Sequence, residues 1–241
     1  MFQYVKADSV AEGIEKAMQA LNANGIYEKR ENQNRENMMK EIQLVLDITN
    51  PMSEPFISKA MPCDIKVLVQ YEDEFINGSA DNAGWKYTYH ELYAPFYEKA
   101  LNELKRNMKT RRCCIALGQG DINFTSDPPC LQLMMFNIVN DKLEMSVVFR
   151  SNDGVKAFPM NIHAIRVLQF NTAERLNVEV GALHYIANNF HAYENDIKLL
   201  ESYCALFEKY SEPDKLKRKI YTKEDVYKRQ RRGSIPKRLL K

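Results

Sequence analysis

Apolar side chains recur at Val10, Ile14, Met18 and Leu21, one stripe of a helix over residues 9–23. Ser9, followed three positions later by Glu12, supplies a capping-box start for it. The polar, Asn-rich stretch 27–37 predicts a loop, and residues 39–48 a strand closed by Asn50-Pro51. Over residues 92–108 the helical spacing returns at Tyr93, Phe96, Ala100 and Leu104. Strand-compatible apolar runs then follow at 113–117, 131–139 and 143–149. Asn140-Asp141-Lys142, between the last two, is a hairpin turn signal. Residues 161–176 predict a largely buried helix, 181–187 a strand and 194–210 an amphipathic helix. Mixed strands and helices, without internal repeats or a Gly-, Pro- or Ser-rich linker, predict one α+β domain.

Composition narrows the function classes. The chain has 241 residues, 45% hydrophobic and 27% charged, enough for a substantial core. A net charge of +2 gives no global electrostatic case for nucleic acid or a membrane surface. The five cysteines, at 63, 113, 114, 130 and 204, include no Cys-x-x-Cys pair. A reduced cytoplasmic protein without a bound metal is therefore expected. No apolar run approaches the ~20 residues that span a bilayer, and Met-Phe-Gln-Tyr-Val-Lys lacks a signal-peptide core. Asp225-Val226-Tyr227-Lys228-Arg229-Gln230 matches one reading frame of a common transposon-end sequencing adapter. Residues 225–241 are accordingly expected to be read-through and 1–224 the catalytic domain; the other reading is a basic tail that recruits nucleic acid.

The candidate chemistry begins at Cys130, in Asp127-Pro128-Pro129-Cys130. A thiol with its reference pKa of ~8.5 needs a nearby cation to act as a thiolate at neutral pH. Cys130 opens the first strand of the hairpin and Arg150 closes the second, so antiparallel pairing brings them together. Free cysteines are usually buried small hydrophobes. The Pro-Pro step before Cys130 and Arg150-Ser151-Asn152-Asp153 opposite it favour a nucleophile. Asn161, in Phe158-Pro159-Met160-Asn161-Ile162, offers a donor and an acceptor on one amide, although an Asn at a helix start also caps its own backbone. His191 and Tyr193, two apart on an extended segment, point the same way.

In order and spacing, Cys130, Arg150-Ser151-x-Asp153, Asn161 and His191-x-Tyr193 resemble the thymidylate synthase and pyrimidine-nucleotide hydroxymethylase family. Within it the series looks closest to the shorter archaeal-type branch. The likeness is firm over 105–205 and looser before. It implies an α+β fold with a large mixed sheet flanked by helices, dimerising through a sheet face. It also implies that Cys130 adds to C6 of the pyrimidine and that Asn161 stabilises charge on O4 and reads uracil; an Asp there would favour cytosine. Arg150 and Ser151 would hold the 5′-phosphate, His191 and Tyr193 the ribose 3′-hydroxyl, and Asp153 the pterin of the folate. Arg111 and Arg112 match paired arginines that reach the partner subunit's phosphate; their bland reading is a solvated pair ending a basic helix. Arg35 matches a further phosphate-gripping arginine. Glu72 or Glu74, before Gly78, is expected to manage proton transfer, against a solvated acidic face as the alternative.

The implied activity is reductive methylation of dUMP to dTMP in a homodimer, with 5,10-methylenetetrahydrofolate as co-substrate. Hydroxymethylation of dUMP, dCMP or CMP is the alternative, and a non-catalytic nucleotide- or RNA-binding relic the non-enzymatic one. The chain departs from the bacterial pattern: Trp-x-x-Trp is missing, leaving Trp85 as the only tryptophan for the folate wall, and Leu131 stands where histidine is usual. The family's C-terminal lid would fall where the adapter-like sequence begins.

Overall fold

The computed structural model describes residues 2–32, 35–54, 57–58, 65–79, 87–118, 128–209 and 220–221. Its elements are β1 (Phe2–Ala7), α1 (Val10–Asn24), β2 (Ile26–Asn32), β3 (Arg35–Ile48), β4 (Ile57–Ser58), α2 (Ile65–Asn77), α3 (Tyr89–Arg106) and β5 (Cys114–Ala116). They continue with β6 (Leu131–Val139), β7 (Lys142–Phe149), β8 (Asn152–Asp153), α4 (Phe158–Leu176), β9 (Glu179–Tyr193), α5 (Ile197–Lys209) and β10 (Ile220–Tyr221). Eight strands form one sheet in the order β1-β3-β9-β7-β6-β5, with β2 beside β3 and β8 beside β9. β1 runs parallel to β3, and β7 and β8 run parallel to β9; the other pairs are antiparallel, so the sheet is mixed. β4 and β10 form a separate two-stranded pair.

One face of the sheet carries the core. Leu44, Leu46, Ile48, Met145, Val147, Phe149, Leu183 and Tyr185 are buried there at every second position, as the pleat requires. Helices α1 and α4 close this face with Ile14, Met18, Phe158, Ile162 and Ile165, all excluded from solvent. The β6–β7 hairpin turns on Asn140 (φ 50°) and Asp141 (φ 60°), the left-handed pair that matches strand twist. No described helix is long and apolar enough to cross a membrane.

Four local expectations differ from the structure. Residues 27–32, read as loop, belong to β2, whose ladder with β3 runs from Ile26↔Glu41 to Asn32↔Arg35. Backbone pairing at the sheet margin needs no apolar alternation, so a polar sequence hides it. α2 is a helix where only an acidic patch was read, because Glu72 occupies a buried position between Leu68 and Phe75 and breaks the apolar stripe. β9 extends beyond 187 to Tyr193, through an irregularity where Asn188 and Asn189 stand against Gln43 alone, between the Leu44↔Ala187 and Ile42↔Phe190 pairs. Such a bulge exchanges the strand's faces, and here the core face passes from Ala187 to Phe190 and Ala192. The Ser9 cap forms at 3.2 Å to the Glu12 amide, but Glu12 returns its carboxylate to the Asp8 N–H, one residue outside a capping box.

Candidate active site

A cavity of about 860 Å³ opens beside the middle of the sheet, within the usual range of small-molecule sites. Cys130, Arg150, Ser151, Asp153, Asn161, His191, Tyr193 and Glu74 all line it. The hairpin carries the first two: the Arg150 N–H donates to the Cys130 carbonyl at 2.9 Å. The Arg150 guanidinium grips the loop before the cysteine, Nε at 3.2 Å from the Pro129 carbonyl and a terminal nitrogen at 2.6 Å from that of Pro128. Proline carbonyls fixed in this way hold Cys130 in place from its N-terminal side.

Four phenols stand around the nucleophile. Tyr71 and Tyr89 line the cavity with Tyr87, and Tyr185 lies buried behind them. Burial raises the pKa of Tyr71, Tyr89 and Tyr185, and charge on Cys130 raises each further, so all three keep their protons at working pH. The Tyr89 hydroxyl accepts the Leu131 N–H at 3.3 Å, next to the cysteine.

The bulge in β9 turns Asn189, His191 and Tyr193 toward the cavity, opposite Glu41 and Met39 of β3. Glu41 accepts from Arg30 at 3.1 Å and from the Asn189 amide nitrogen at 2.6 Å. The Arg30 guanidinium holds the Glu41 carboxyl below its usual range, against the opposing effect of burial, and Asn189 adds to the lowering. With its nitrogen committed to Glu41, Asn189 turns its carbonyl oxygen to His191 Nδ1 at 2.7 Å. Nδ1 therefore carries the ring proton and Nε2 is an acceptor. Nε2 is buried with no hydrogen-bond partner, while burial lowers the pKa of the ring and keeps it neutral. A buried acceptor without a partner, on a ring that lines the cavity, is a candidate contact for a ligand donor.

The two glutamates separate. Glu74 lines the cavity, and burial followed by the charge of Glu91 raises its pKa, as suits a group that carries a proton. Glu72 points away from the cavity into the α2–α4 interface, where it meets His163 Nε2 at 2.8 Å; Arg166 holds His163 Nδ1 at 3.1 Å. The periodicity explains the split: two residues along a helix turn the side chain by roughly 200°. Asn161 is 3% exposed and accepts a hydrogen bond from the Tyr71 hydroxyl. Asp153 Oδ1 accepts from the Val155 and Lys156 amides at 2.9 and 3.1 Å, and its carboxylate keeps acceptor capacity toward the cavity. Gly154 between them is required: a Cβ there would come within 2.6 Å of the Phe190 ring.

Arg111 and Arg112 are exposed just before β5 and do not line the cavity of their own chain. Arg35 opens β3, where its side chain is not described; Trp85 and residues 222–241, with the adapter-like segment, lie outside the described residues. Among the described residues no cluster of three His, Cys, Asp or Glu side chains is placed to hold a metal. The sequence reading missed Arg30, Glu41, Asn189 and the tyrosine wall. Only Glu41 leaves a trace, as Lys40-Glu41 interrupting the apolar run between Met39 and Ile42.

Residues 85–229 match the family model described as thymidylate synthase. A protein of Methanocaldococcus jannaschii, provisionally named a thymidylate synthase, is 26% identical over 214 residues, covering 83% of this chain and 95% of the relative. A similarly named protein of Methanothermobacter marburgensis is 27% identical over 216 residues, covering 80% and 94%. The thermostable thymidylate synthase A of Bacillus subtilis superposes with a TM-score of 0.66 at 18% identity, over 82% of this chain and 84% of that one.

Proposed function

The chain belongs to the thymidylate synthase family, and on that premise we propose that it methylates C5 of dUMP through covalent addition of Cys130 to C6. The observation that carries this reading is that one cavity gathers Cys130 with Asn161, Asp153, His191 and Tyr193. The Cys130 sulfur attacks C6, and the electron pair of the C5–C6 double bond moves toward O4. An Asn161 N–H stabilises the charge that collects on O4. C5 thereby becomes the carbon nucleophile. Bound methylenetetrahydrofolate supplies the carbon and, for a methyl product, the hydride. Asp153 is the polar anchor for its pterin, and Glu74, with its raised pKa, exchanges protons near O4.

His191 Nε2 accepts the ribose 3′-hydroxyl and Tyr193 flanks it, the two rings 4.9 Å apart and edge to face. Arg150, Ser151 and Arg30 grip the 5′-phosphate. For Arg150 and Arg30 this means exchanging partners held in the free protein, the proline carbonyls and Glu41. Arg111 and Arg112 serve the partner subunit's site across a sheet-face homodimer, which explains their exposure on a single chain.

The wall beside the nucleophile consists of phenols, which can hold a water, and this favours hydroxymethylation as the second reading. Mass spectrometry of the products from dUMP and methylenetetrahydrofolate separates the two. dTMP with dihydrofolate supports methylation, and hydroxymethyl-dUMP with tetrahydrofolate supports the second reading.

A further inference from the structure

A chain of hydrogen bonds has a fixed direction when each member can play only one part in it. A guanidinium only donates and a carboxylate only accepts; an amide that donates from its nitrogen at one end offers its oxygen at the other. A neutral imidazole at the end of such a chain is then left with one tautomer.

Arg30, Glu41, Asn189 and His191 form a chain of this kind along the cavity wall. Glu41 and His191 are direct partners in the β3–β9 ladder, so their side chains share a face, and the bulge turns Asn189 to the same side. Arg30 donates to the Glu41 carboxylate from Nε at 3.1 Å and from a terminal nitrogen. That guanidinium keeps Glu41 ionised, and an ionised carboxylate accepts the Asn189 amide nitrogen at 2.6 Å. Half a turn of the amide would set its oxygen against the carboxylate oxygens. The Asn189 oxygen is therefore held on His191 Nδ1 at 2.7 Å, and Nδ1 carries the proton. Ser151 Oγ also lies 3.5 Å from Nδ1, but a hydroxyl there can donate or accept and decides nothing.

Nε2 is left as a buried acceptor without a partner, on a ring that lines the cavity. Building on the function proposed above, we infer that Glu41 and Asn189 are positioning residues that fix the His191 tautomer, so that the site reads the 3′ position of the sugar as a donor and rejects one that offers only an acceptor. An imidazole without this relay would tolerate either, because moving the ring proton exchanges its donor and its acceptor.

The test measures Kd for dUMP and for its 3′-deoxy-3′-fluoro analogue, whose fluorine cannot donate, in the full chain and in Glu41→Gln and Asn189→Leu. The wild type should prefer dUMP by about tenfold or more. In Glu41→Gln the new amide can accept or donate, so Asn189 is free to turn and the preference should fall several-fold. Asn189→Leu should lower it at least as far, and the double variant no further, because the two residues act in series. Nitrogen-15 spectra of the His191 ring, assigned by their loss in His191→Asn, read the tautomer without a relay variant and should place the proton on Nδ1. A purely structural role for Glu41 would weaken both ligands equally and leave their ratio unchanged. An unchanged ratio in a folded variant, or a wild-type proton on Nε2, overturns the relay, while retained dUMP binding leaves the proposed function standing. A wild-type protein that binds neither nucleotide overturns both.

Discussion

His163 and His191 are both buried, both neutralised by burial, and both linked to a carboxylate, His163 directly and His191 through Asn189, yet they belong to different kinds of network. His163 has Glu72 on one nitrogen and Arg166 on the other, so its polar capacity is used up inside the α2–α4 interface. His191 spends Nδ1 on Asn189, which is fixed in turn by Glu41 and Arg30, and its ring lines the cavity with Nε2 buried and without a partner. A closed network stabilises a packing arrangement; an open one ends where a ligand must complete it. Residue type and burial do not separate the two histidines. Where the chain of hydrogen bonds ends does.

The largest effect that sharpens this contrast lies at the far end of the cavity. Cys130→Ser should reduce turnover by at least ~10⁴-fold, because serine is a poor nucleophile without a dedicated base. Equilibrium binding should show dUMP retained, since the His191 end is untouched; retained turnover would remove Cys130 from the chemistry. Next, His191→Ala should weaken dUMP binding by roughly tenfold to a hundredfold, with little change in melting temperature. A matched loss of stability without a change in Kd would place His191 with His163 in the closed class. Glu72→Gln should do the reverse, lowering unfolding free energy by about 1–3 kcal/mol in denaturant titrations and leaving the Kd of the folded protein alone.

The smallest effect is a pH dependence. Both histidines have folded pKa values below their ordinary ~6.5, so the unfolded chain takes up protons first as pH falls. Their stability contribution is fully present above pH ~6.5 and declines as pH drops toward the lowered values. Only His191 couples protonation to ligand: dUMP affinity should decline at still lower pH, as the folded imidazole itself takes up a proton, and much less in His191→Asn. Parallel declines in both proteins would break the distinction.

What the sequence discloses follows what each feature depends on. The α1 stripe of Val10, Ile14, Met18 and Leu21 and the Asn140-Asp141 turn are local, and both stand in the structure where the pattern put them. The meeting of Cys130 and Arg150 follows from hairpin geometry alone. The β9 bulge at Asn188-Asn189 depends on a partner strand far away in sequence, so alternation stops at Ala187 and conceals the strand that carries His191. Glu72 and Glu74 look equivalent in one acidic stretch, and only the packing of α2 on α4 sends one inward and the other to the cavity. Tyr71 could not be found from its neighbours, because its partner Asn161 lies 90 residues away.

Covalent capture is the most direct test of the central claim. The chain is incubated with 5-fluoro-dUMP and methylenetetrahydrofolate, denatured, digested and analysed by mass spectrometry. The account predicts a nucleotide–folate adduct on the peptide containing Cys130, absent in Cys130→Ser. Tight 5-fluoro-dUMP binding that leaves Cys130 unmodified would contradict it and reduce the site to a nucleotide-binding pocket.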